Sequence, residues 1–160
     1  MKCFSSKTCY TANFEPLIKV NMDLKIYQLV IDFGLVVLIF LVQLCIYPAF
    51  KYFKTENLKV WHRIYTPNIT YVVFPLMLSQ LGFSAYFAFF ETAFLHWLHF
   101  ILVLLNWIGT FSVFVPLHQK INTGEFASID LIKLEKKNWY RLILWLLTFI
   151  LTLIQIQYYN

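Results

Sequence analysis

The chain has 160 residues, of which 60% are hydrophobic and 13% are charged. Soluble domains contain roughly 45–50% apolar and about 25% charged residues, so this composition argues against a water-soluble globular domain. It also excludes intrinsic disorder, which needs low hydrophobicity and high net charge. The formal net charge of +5 would suit nucleic acid in a soluble protein. Here the basic residues lie between long apolar runs, which indicates an integral membrane protein and no nucleic-acid partner.

Four apolar segments are long enough to cross about 30 Å of hydrocarbon, which takes about 20 helical residues. Their expected bounds are Ile26–Ala49, Asn68–Phe90, Thr92–Pro116 and Trp139–Tyr158. The apolar runs are continuous and do not alternate as barrel strands do, so helices are indicated. We therefore predict an all-α fold, an antiparallel four-helix transmembrane bundle that occupies residues 26–160 as a single domain.

A polar tail over residues 1–25 precedes the first span. It lacks the apolar core and the cleavage site of a signal peptide, and Met22 would serve as an alternative start. We therefore expect residues 1–21 to be a dispensable or misassigned segment. Lys and Arg concentrate in the first and third loops, which places those loops in the cytoplasm and both termini outside. The richness in Ile, Lys, Phe, Asn and Tyr predicts a bacterial cytoplasmic membrane.

Polar side chains inside the spans are informative, because each is costly in a bilayer unless it faces protein or water. At 3.6 residues per turn, the polar residues of each span share one face. The four sets are Asp32 and Gln43; Gln80 and Ser84; His96, His99, Asn106 and Thr110; and Arg141, Thr148, Thr152 and Gln155. The four stripes are expected to converge inside the bundle, where most of these groups would only form hydrogen bonds between helices.

The ionisable residues near the outer ends of the spans form the main candidate site. Asp32, His96 and His99 are expected at similar depth, with Glu91 at the rim. The H-x-x-H spacing puts both imidazoles on one side of a helix, where they could hold a metal or haem, and Asp32 could orient one of them. Asp32, His96 and His99 are also the candidate catalytic residues. A structural histidine pair and a proton-transfer site are the open alternatives.

A second polar cluster is expected on the cytoplasmic side. Its members are Trp61, His62, Arg63, His118, Asn138, Trp139 and Arg141. Arg141 lies one turn inside the fourth span, where it could extend to the interface or hold an anionic group in the mouth of the bundle. The chain carries no hydrolase, nucleotide-binding or redox motif, so the sequence identifies no cofactor.

Several short segments share the pattern of a known family. They are Tyr47-Pro48-Ala49-Phe50, Trp61-His62, Val115-Pro116-Leu117-His118 and Asn138-Trp139-Tyr140-Arg141. The pattern resembles the anthrone-oxygenase-like family of small four-helix membrane proteins, most of which have no assigned function, and the likeness covers roughly residues 28–155. Members with a role oxidise anthrones to anthraquinones without a cofactor, which implies a flat aromatic substrate, molecular oxygen and a residue that removes a proton. The resemblance points to His62, His118, Asn138 and Arg141.

Three classes of function remain open at this stage. We favour an accessory or structural membrane protein with a polar intramembrane site, because no strong catalytic motif is present. The second class is a membrane enzyme that oxidises a lipophilic aromatic or quinone-like substrate. The third is a small transporter or proton-conducting channel, which four spans could form only as a homo-oligomer. The expected partners are the lipid bilayer, a lipophilic small molecule and further copies of the chain.

Overall fold

The computed structural model describes residues 15–158, with side chains from Met22 onward. This part of the chain is helical and contains no strand. The prediction of four helices long and apolar enough to cross a membrane is confirmed for it. We label them α1 (Met22–Tyr52), α2 (Thr55–Phe90), α3 (Phe94–Thr123) and α4 (Ser128–Tyr158). The helical backbone of α1 already begins at Glu15. Most of the predicted tail lies outside the described residues, and the alternative start stays a prediction.

The helices are longer than the apolar spans expected from the sequence, and the first and third connections between them are shorter. The second connection, expected at little more than Glu91, extends over residues 91–93. Residues 55–67 were expected in a loop but form the first turns of α2, a helix of 36 residues. The charged run Lys133–Lys137 was likewise expected in a loop and lies within α4. Hydropathy reports only the part of a helix that matches hydrocarbon, whereas Lys, Glu and Leu are good helix formers in any solvent. At about 1.5 Å per residue, α2 is about 54 Å long and exceeds a hydrocarbon layer of about 30 Å.

Short connections with specific backbone geometry separate the helices. Gly124 ends α3 with φ of 84°, a left-handed conformation that glycine adopts without strain. Thr92, between α2 and α3, has φ of 50°, which is unfavourable for a β-branched residue. Ahead of α4, the Asp130 carboxylate accepts a hydrogen bond of 3.0 Å from the Ala127 N–H. Each of these connections therefore spans only a few residues.

Each helix packs against two others. α1 and α3 both pack against α2 and α4. The interior contains apolar side chains such as Leu35, Ile39 and Trp145, but also many buried polar groups. The outer faces carry exposed apolar side chains such as Phe33 and Ile108. Apolar residues outside and polar residues inside are the distribution expected when the surrounding solvent is lipid.

Two helices contain a π-helical turn at the same end of the molecule. These turns are Val42–Ile46 in α1 and Thr110–Phe114 in α3. Pro48 and Pro116 follow them closely. A proline has no N–H to donate to the preceding turn, so it favours a local change in helical geometry. Single π-helical turns occur frequently at functional sites.

Candidate functional site

The structure gathers the buried polar side chains into two regions at opposite ends of the helices. One region surrounds a cavity beside Arg141, which we call the arginine cavity. The other surrounds the carboxylate of Asp32 together with Gln28, Gln80, His99 and Thr152, which we call the aspartate cluster. All five side chains of the aspartate cluster are buried.

The arginine cavity has a volume of about 310 Å³ and receives residues from all four helices. Its lining is largely apolar, with side chains that include Leu38, Ile39 and Val73. Its polar lining residues are Tyr47, Tyr65, Thr66, Thr70, Thr110, His118, Gln119, Asn122 and Arg141. An apolar lining with a few polar groups is typical of small-molecule sites, whose volumes range from about 300 to 1,000 Å³.

Both π-helical turns contribute to this cavity. Val42 in the first turn and Thr110 and Phe114 in the second line it. A π-turn inserts one extra residue into the helical repeat, so it changes the direction in which nearby side chains point. In a regular α-helix, Val42 and Phe114 would be rotated differently relative to the cavity. The prolines that follow the two turns therefore shape the cavity although neither lines it.

Arg141 is the charged group of the cavity. The side chain is 8% exposed, and its guanidinium lies 4.2 Å from the Phe114 ring centroid and 4.8 Å from that of Trp145. No carboxylate of the described residues forms an ion pair with it. The Nε atom of Arg141 and the indole N–H of Trp145 are buried without a hydrogen-bond acceptor. Cation–π contacts offset about 2 kcal/mol of the cost of burying a charge, so this cation lacks an anion.

A chain of hydrogen bonds leads from the cavity to the end of the helices. Tyr47 Oη lies 3.2 Å from His118 Nε2, and His118 Nδ1 lies 2.8 Å from His62 Nε2. His62 Nδ1 in turn lies 2.6 Å from the side-chain oxygen Oδ1 of Asn122. This oxygen can only accept, so His62 Nδ1 carries a proton and its Nε2 accepts from His118 Nδ1–H. His118 Nε2 then accepts from the Tyr47 hydroxyl, and the chain is fully satisfied with both histidines neutral.

The two imidazoles are held firmly in this arrangement. Their rings stack with a centroid distance of 5.0 Å and an interplanar angle of 23°. The Phe50 ring packs edge-on against the His62 ring, with their centroids 5.8 Å apart. The Thr66 hydroxyl donates to the His62 carbonyl oxygen at 2.8 Å, which leaves its oxygen beside the ring. A proton that enters at Tyr47 can therefore reach His62 without a side-chain rearrangement.

In the aspartate cluster one carboxylate contacts the three other helices. Asp32 on α1 accepts hydrogen bonds from Gln80 Nε2 on α2 at 2.7 Å and from the Thr152 hydroxyl on α4 at 2.6 Å. His99 Nε2 on α3 lies 3.2 Å from the second carboxylate oxygen. The predicted proximity of Asp32 and His99 is therefore present, and it joins four helices at one point.

His96 and His99 contact different partners. His96 Nε2 lies 3.4 Å from the Glu91 carboxylate, which also forms an ion pair of 2.9 Å with Lys25. No group of three or more His, Cys, Asp and Glu side chains within residues 22–158 could hold a metal ion. The contacts therefore assemble no such metal site at this histidine pair, and a haem there stays a prediction.

The cluster predicted on the basic side is only partly assembled. His118 and Arg141 line the same cavity, and His62 contacts His118 at 2.8 Å from outside the lining. Asn138 also lies outside the cavity lining, 3.0 Å from Gln43. Arg63 is exposed, and so is Trp139. The Trp61 ring stacks on that of Tyr65 at 4.7 Å.

Four functional side chains were not assigned from the sequence, although spacing could have found two of them. Gln28 precedes Asp32 by one turn and Asn122 follows His118 by one turn, so each shares a helix face with a predicted residue. Tyr47 and Tyr65 are the other two, and tyrosine at a span end is ordinarily an interface anchor.

A search with family models, curated proteins and solved structures finds no match to this chain.

Proposed function

We propose first that the four helices form an antiparallel bundle across a membrane. The supporting observation is which ends of the helices meet. Tyr47 near the end of α1 contacts His118 near the end of α3, and His118 contacts His62 near the start of α2. At the opposite end, Asp32 in the first half of α1 contacts Gln80 in the second half of α2. Neighbouring helices that meet in this way run in opposite directions.

We propose that the end with the arginine cavity faces the cytoplasm of a bacterial cell. The connections at that end, residues 53–54 and 124–127, lie among the basic residues Lys51, Lys54, Lys59, Arg63 and Lys120. Lys59 lies against Gly124, so the two connections are neighbours. Basic loops stay on the cytoplasmic side, which leaves both termini outside. The assignment to a bacterial cytoplasmic membrane rests on composition.

We propose that the arginine cavity binds a lipophilic molecule with an acidic hydroxyl or carboxyl group and removes a proton from it. The observation that carries this proposal is the buried, unpaired Arg141 in a largely apolar cavity. A neutral apolar ligand would leave the Arg141 guanidinium without an acceptor. An anion beside Arg141 would form a charge-assisted hydrogen bond, which is worth roughly 1.5–3 kcal/mol.

The lining residues also indicate how a lipophilic ligand would enter. Thr70 on α2 and Gln119 on α3 are exposed and line the cavity, so the cavity reaches the surface along these two helices. The surface there is the one that a lipid bilayer would cover. A molecule dissolved in the bilayer can therefore reach Arg141 without first crossing water.

The hydrogen-bond chain supplies a route for the proton. The ligand gives its proton to Tyr47 Oη as the Tyr47 proton moves to His118 Nε2, and the His118 Nδ1 proton moves to His62 Nε2. The ligand becomes an anion next to Arg141, and His62 becomes an imidazolium whose Nδ1–H still donates to Asn122. Proton removal is the first chemical requirement that the resemblance to anthrone-oxygenase-like proteins implies, and the proposal extends to binding and deprotonation. Nothing in the cavity favours the accessory or the transport role in particular.

Binding of a matched probe pair to the protein in lipid vesicles tests the proposal. We expect 4-nitrophenol, which has an acidic hydroxyl, to bind at least about tenfold more tightly than 4-nitroanisole, in which a methyl group blocks that hydroxyl. Replacing Arg141→Met should abolish the preference, because the anion then loses its partner.

The control for this experiment is Lys136→Met, which removes an exposed cation from the same helix. This variant should bind both probes as the wild type does. Equal binding of the two probes by the wild type, or an unchanged preference in Arg141→Met, would contradict the proposal.

A further inference from the structure

The Asp32 carboxyl group lies in the interior of the protein among hydrogen-bond donors. It is 0% exposed and accepts hydrogen bonds from Gln80 and Thr152, one on each oxygen. A carboxylate accepts at both oxygens, whereas a protonated carboxyl group donates from one of them. An ionised carboxylate away from water requires a positive charge close by.

His99 is in the position to carry that charge. Its Nε2 lies 3.2 Å from the carboxylate, and the side-chain amide nitrogen of Gln28 lies 3.3 Å from its Nδ1 and 3.2 Å from its Nε2. With the amide nitrogen of Gln28 toward the ring, His99 is neutral and the pair has a net charge of −1. If the amide turns over, its oxygen accepts from a protonated Nδ1 and the net charge of the pair is zero.

The second arrangement gives the Gln28 oxygen a partner. This oxygen is buried and has no donor in the first orientation. Because the turn moves the amide nitrogen to the place that the oxygen held, the number of unpaired amide groups stays the same. The gain is the charge, since one proton on His99 supplies the missing positive charge beside Asp32.

The other charged groups near this pair come from three helices and already interact with one another. They are Lys25 on α1, Glu91 at the end of α2 and His96 on α3, and the Glu91 carboxylate contacts both of the others. From α4 the facing groups are Thr148, Thr152 and Gln155, which are uncharged. His99 is thus the one group in contact with Asp32 among the described residues that can become positively charged.

We propose that Asp32 and His99 form an intramembrane proton-binding site, in which an imidazolium at His99 neutralises the Asp32 carboxylate. The site takes up one proton onto His99 Nδ1 and breaks no covalent bond elsewhere. Toward the end of the helices, His96 lies one turn before His99, and its Nε2 lies 3.4 Å from the carboxylate of Glu91, whose side chain is 20% exposed. The site is at the opposite end from the arginine cavity and does not depend on the function proposed there.

Solid-state nitrogen NMR on protein with ¹⁵N-labelled histidine, reconstituted in lipid vesicles, tests the assignment. We expect one histidine to have protons on both ring nitrogens, and its signal should disappear in His99→Gln. In Asp32→Asn, which keeps the shape of the side chain, His99 should become neutral with one protonated nitrogen. The matched control His96→Gln removes a neighbouring histidine and should leave the His99 signal unchanged.

Three results would overturn this proposal. The first is a neutral His99 in the wild type, and the second is an imidazolium that persists in Asp32→Asn. The third is an infrared band from a protonated carboxyl group at Asp32, which would put the proton on the wrong atom. The first and third require only the wild-type protein, so the test stands even if the substituted chain does not fold.

Discussion

The arginine cavity and the aspartate cluster both contain buried polar groups, but the groups without a hydrogen-bond partner are of opposite kinds in the two regions. Around Arg141 the unsatisfied groups in the lining are donors, the guanidinium Nε and the indole N–H of Trp145. Beside Asp32 they are acceptors, the side-chain oxygens of Gln28 and Gln80. The first region calls for an anion and the second for a positive charge.

The two regions also differ in what fills the space between the helices. In the aspartate cluster a single carboxylate is hydrogen-bonded to side chains from the three other helices. In the arginine cavity the helices leave about 310 Å³ between them. Polar burial alone therefore does not identify a ligand site. The arginine cavity is a candidate ligand site because an unpaired charge lies beside an open volume. In the aspartate cluster the polar side chains are in direct contact, so they hold the helices together and have room only for a proton.

The largest expected effect is the loss of stability when the shared carboxylate is removed. Replacing Asp32→Ala leaves Gln80 and His99 without their acceptor and leaves the Thr152 hydroxyl only the Thr148 carbonyl at 3.2 Å. We expect the free energy of unfolding to fall by about 3–5 kcal/mol. Reversible unfolding in mixed detergent measures it. The control is Ser84→Ala, which removes one hydrogen bond to a backbone carbonyl and should change stability by less than about 1 kcal/mol. Similar losses in both variants would contradict the central role of Asp32.

Next in size is the effect of breaking the proton route in the cavity. Tyr47→Phe removes the hydroxyl that contacts His118 but keeps the ring. We expect the rate at which bound 4-nitrophenol ionises after rapid mixing to fall about 10²-fold or more. Binding affinity should change much less, because Arg141 is still present. The exposed Tyr52 on the same helix provides the control Tyr52→Phe, and an equal loss of rate there would refute the route.

A smaller change in stability, of opposite sign to that at Asp32, is expected at Arg141. Arg141→Met replaces an uncompensated buried cation with an apolar side chain of similar length, so stability should stay the same or rise by about 1 kcal/mol even though the probe preference is lost. The loss of binding and the gain of stability would then occur in one variant. A drop of more than about 1 kcal/mol would mean that the ring contacts of Arg141 outweigh the cost of its burial.

The smallest effect concerns the connection between α2 and α3. Thr92 has φ of 50°, so Thr92→Gly should raise the free energy of unfolding by about 1 kcal/mol. The adjacent Ala93 has φ of −73°, and Ala93→Gly should lower it by roughly 0.5–1 kcal/mol. Opposite signs at neighbouring positions, measured by the same unfolding assay, separate backbone strain from a general effect of glycine in this turn.

Much of the helical architecture follows from the sequence, because continuous apolar segments in a chain of this composition have few alternatives. The polar stripes also predicted burial correctly for Asp32, Gln80, His99, Asn106 and Thr152. The helix ends could not be predicted from the apolar segments, because hydropathy does not distinguish a polar helical turn from a polar loop. Residues 55–67 are polar turns of this kind.

The details of the two sites depended on helix rotation. His96 and His99 share a face by spacing, yet a small rotation of α3 decides that one contacts Glu91 and the other Asp32. The π-helical turns add a further rotation that no periodicity of 3.6 anticipates. Spacing alone therefore placed Asn138 with Arg141, whereas the helix geometry directs it to Gln43.

The most direct test of the central claim is the absorption spectrum of 4-nitrophenol bound to the protein in vesicles, at a pH where the unbound probe is un-ionised. We expect the bound probe to show the yellow band of the phenolate, because Arg141 stabilises the anion and the histidines accept the proton of the phenol. Arg141→Met should lose that band. A bound probe with the spectrum of the un-ionised phenol would contradict the account, since the cavity would then hold a neutral ligand beside an unpaired cation.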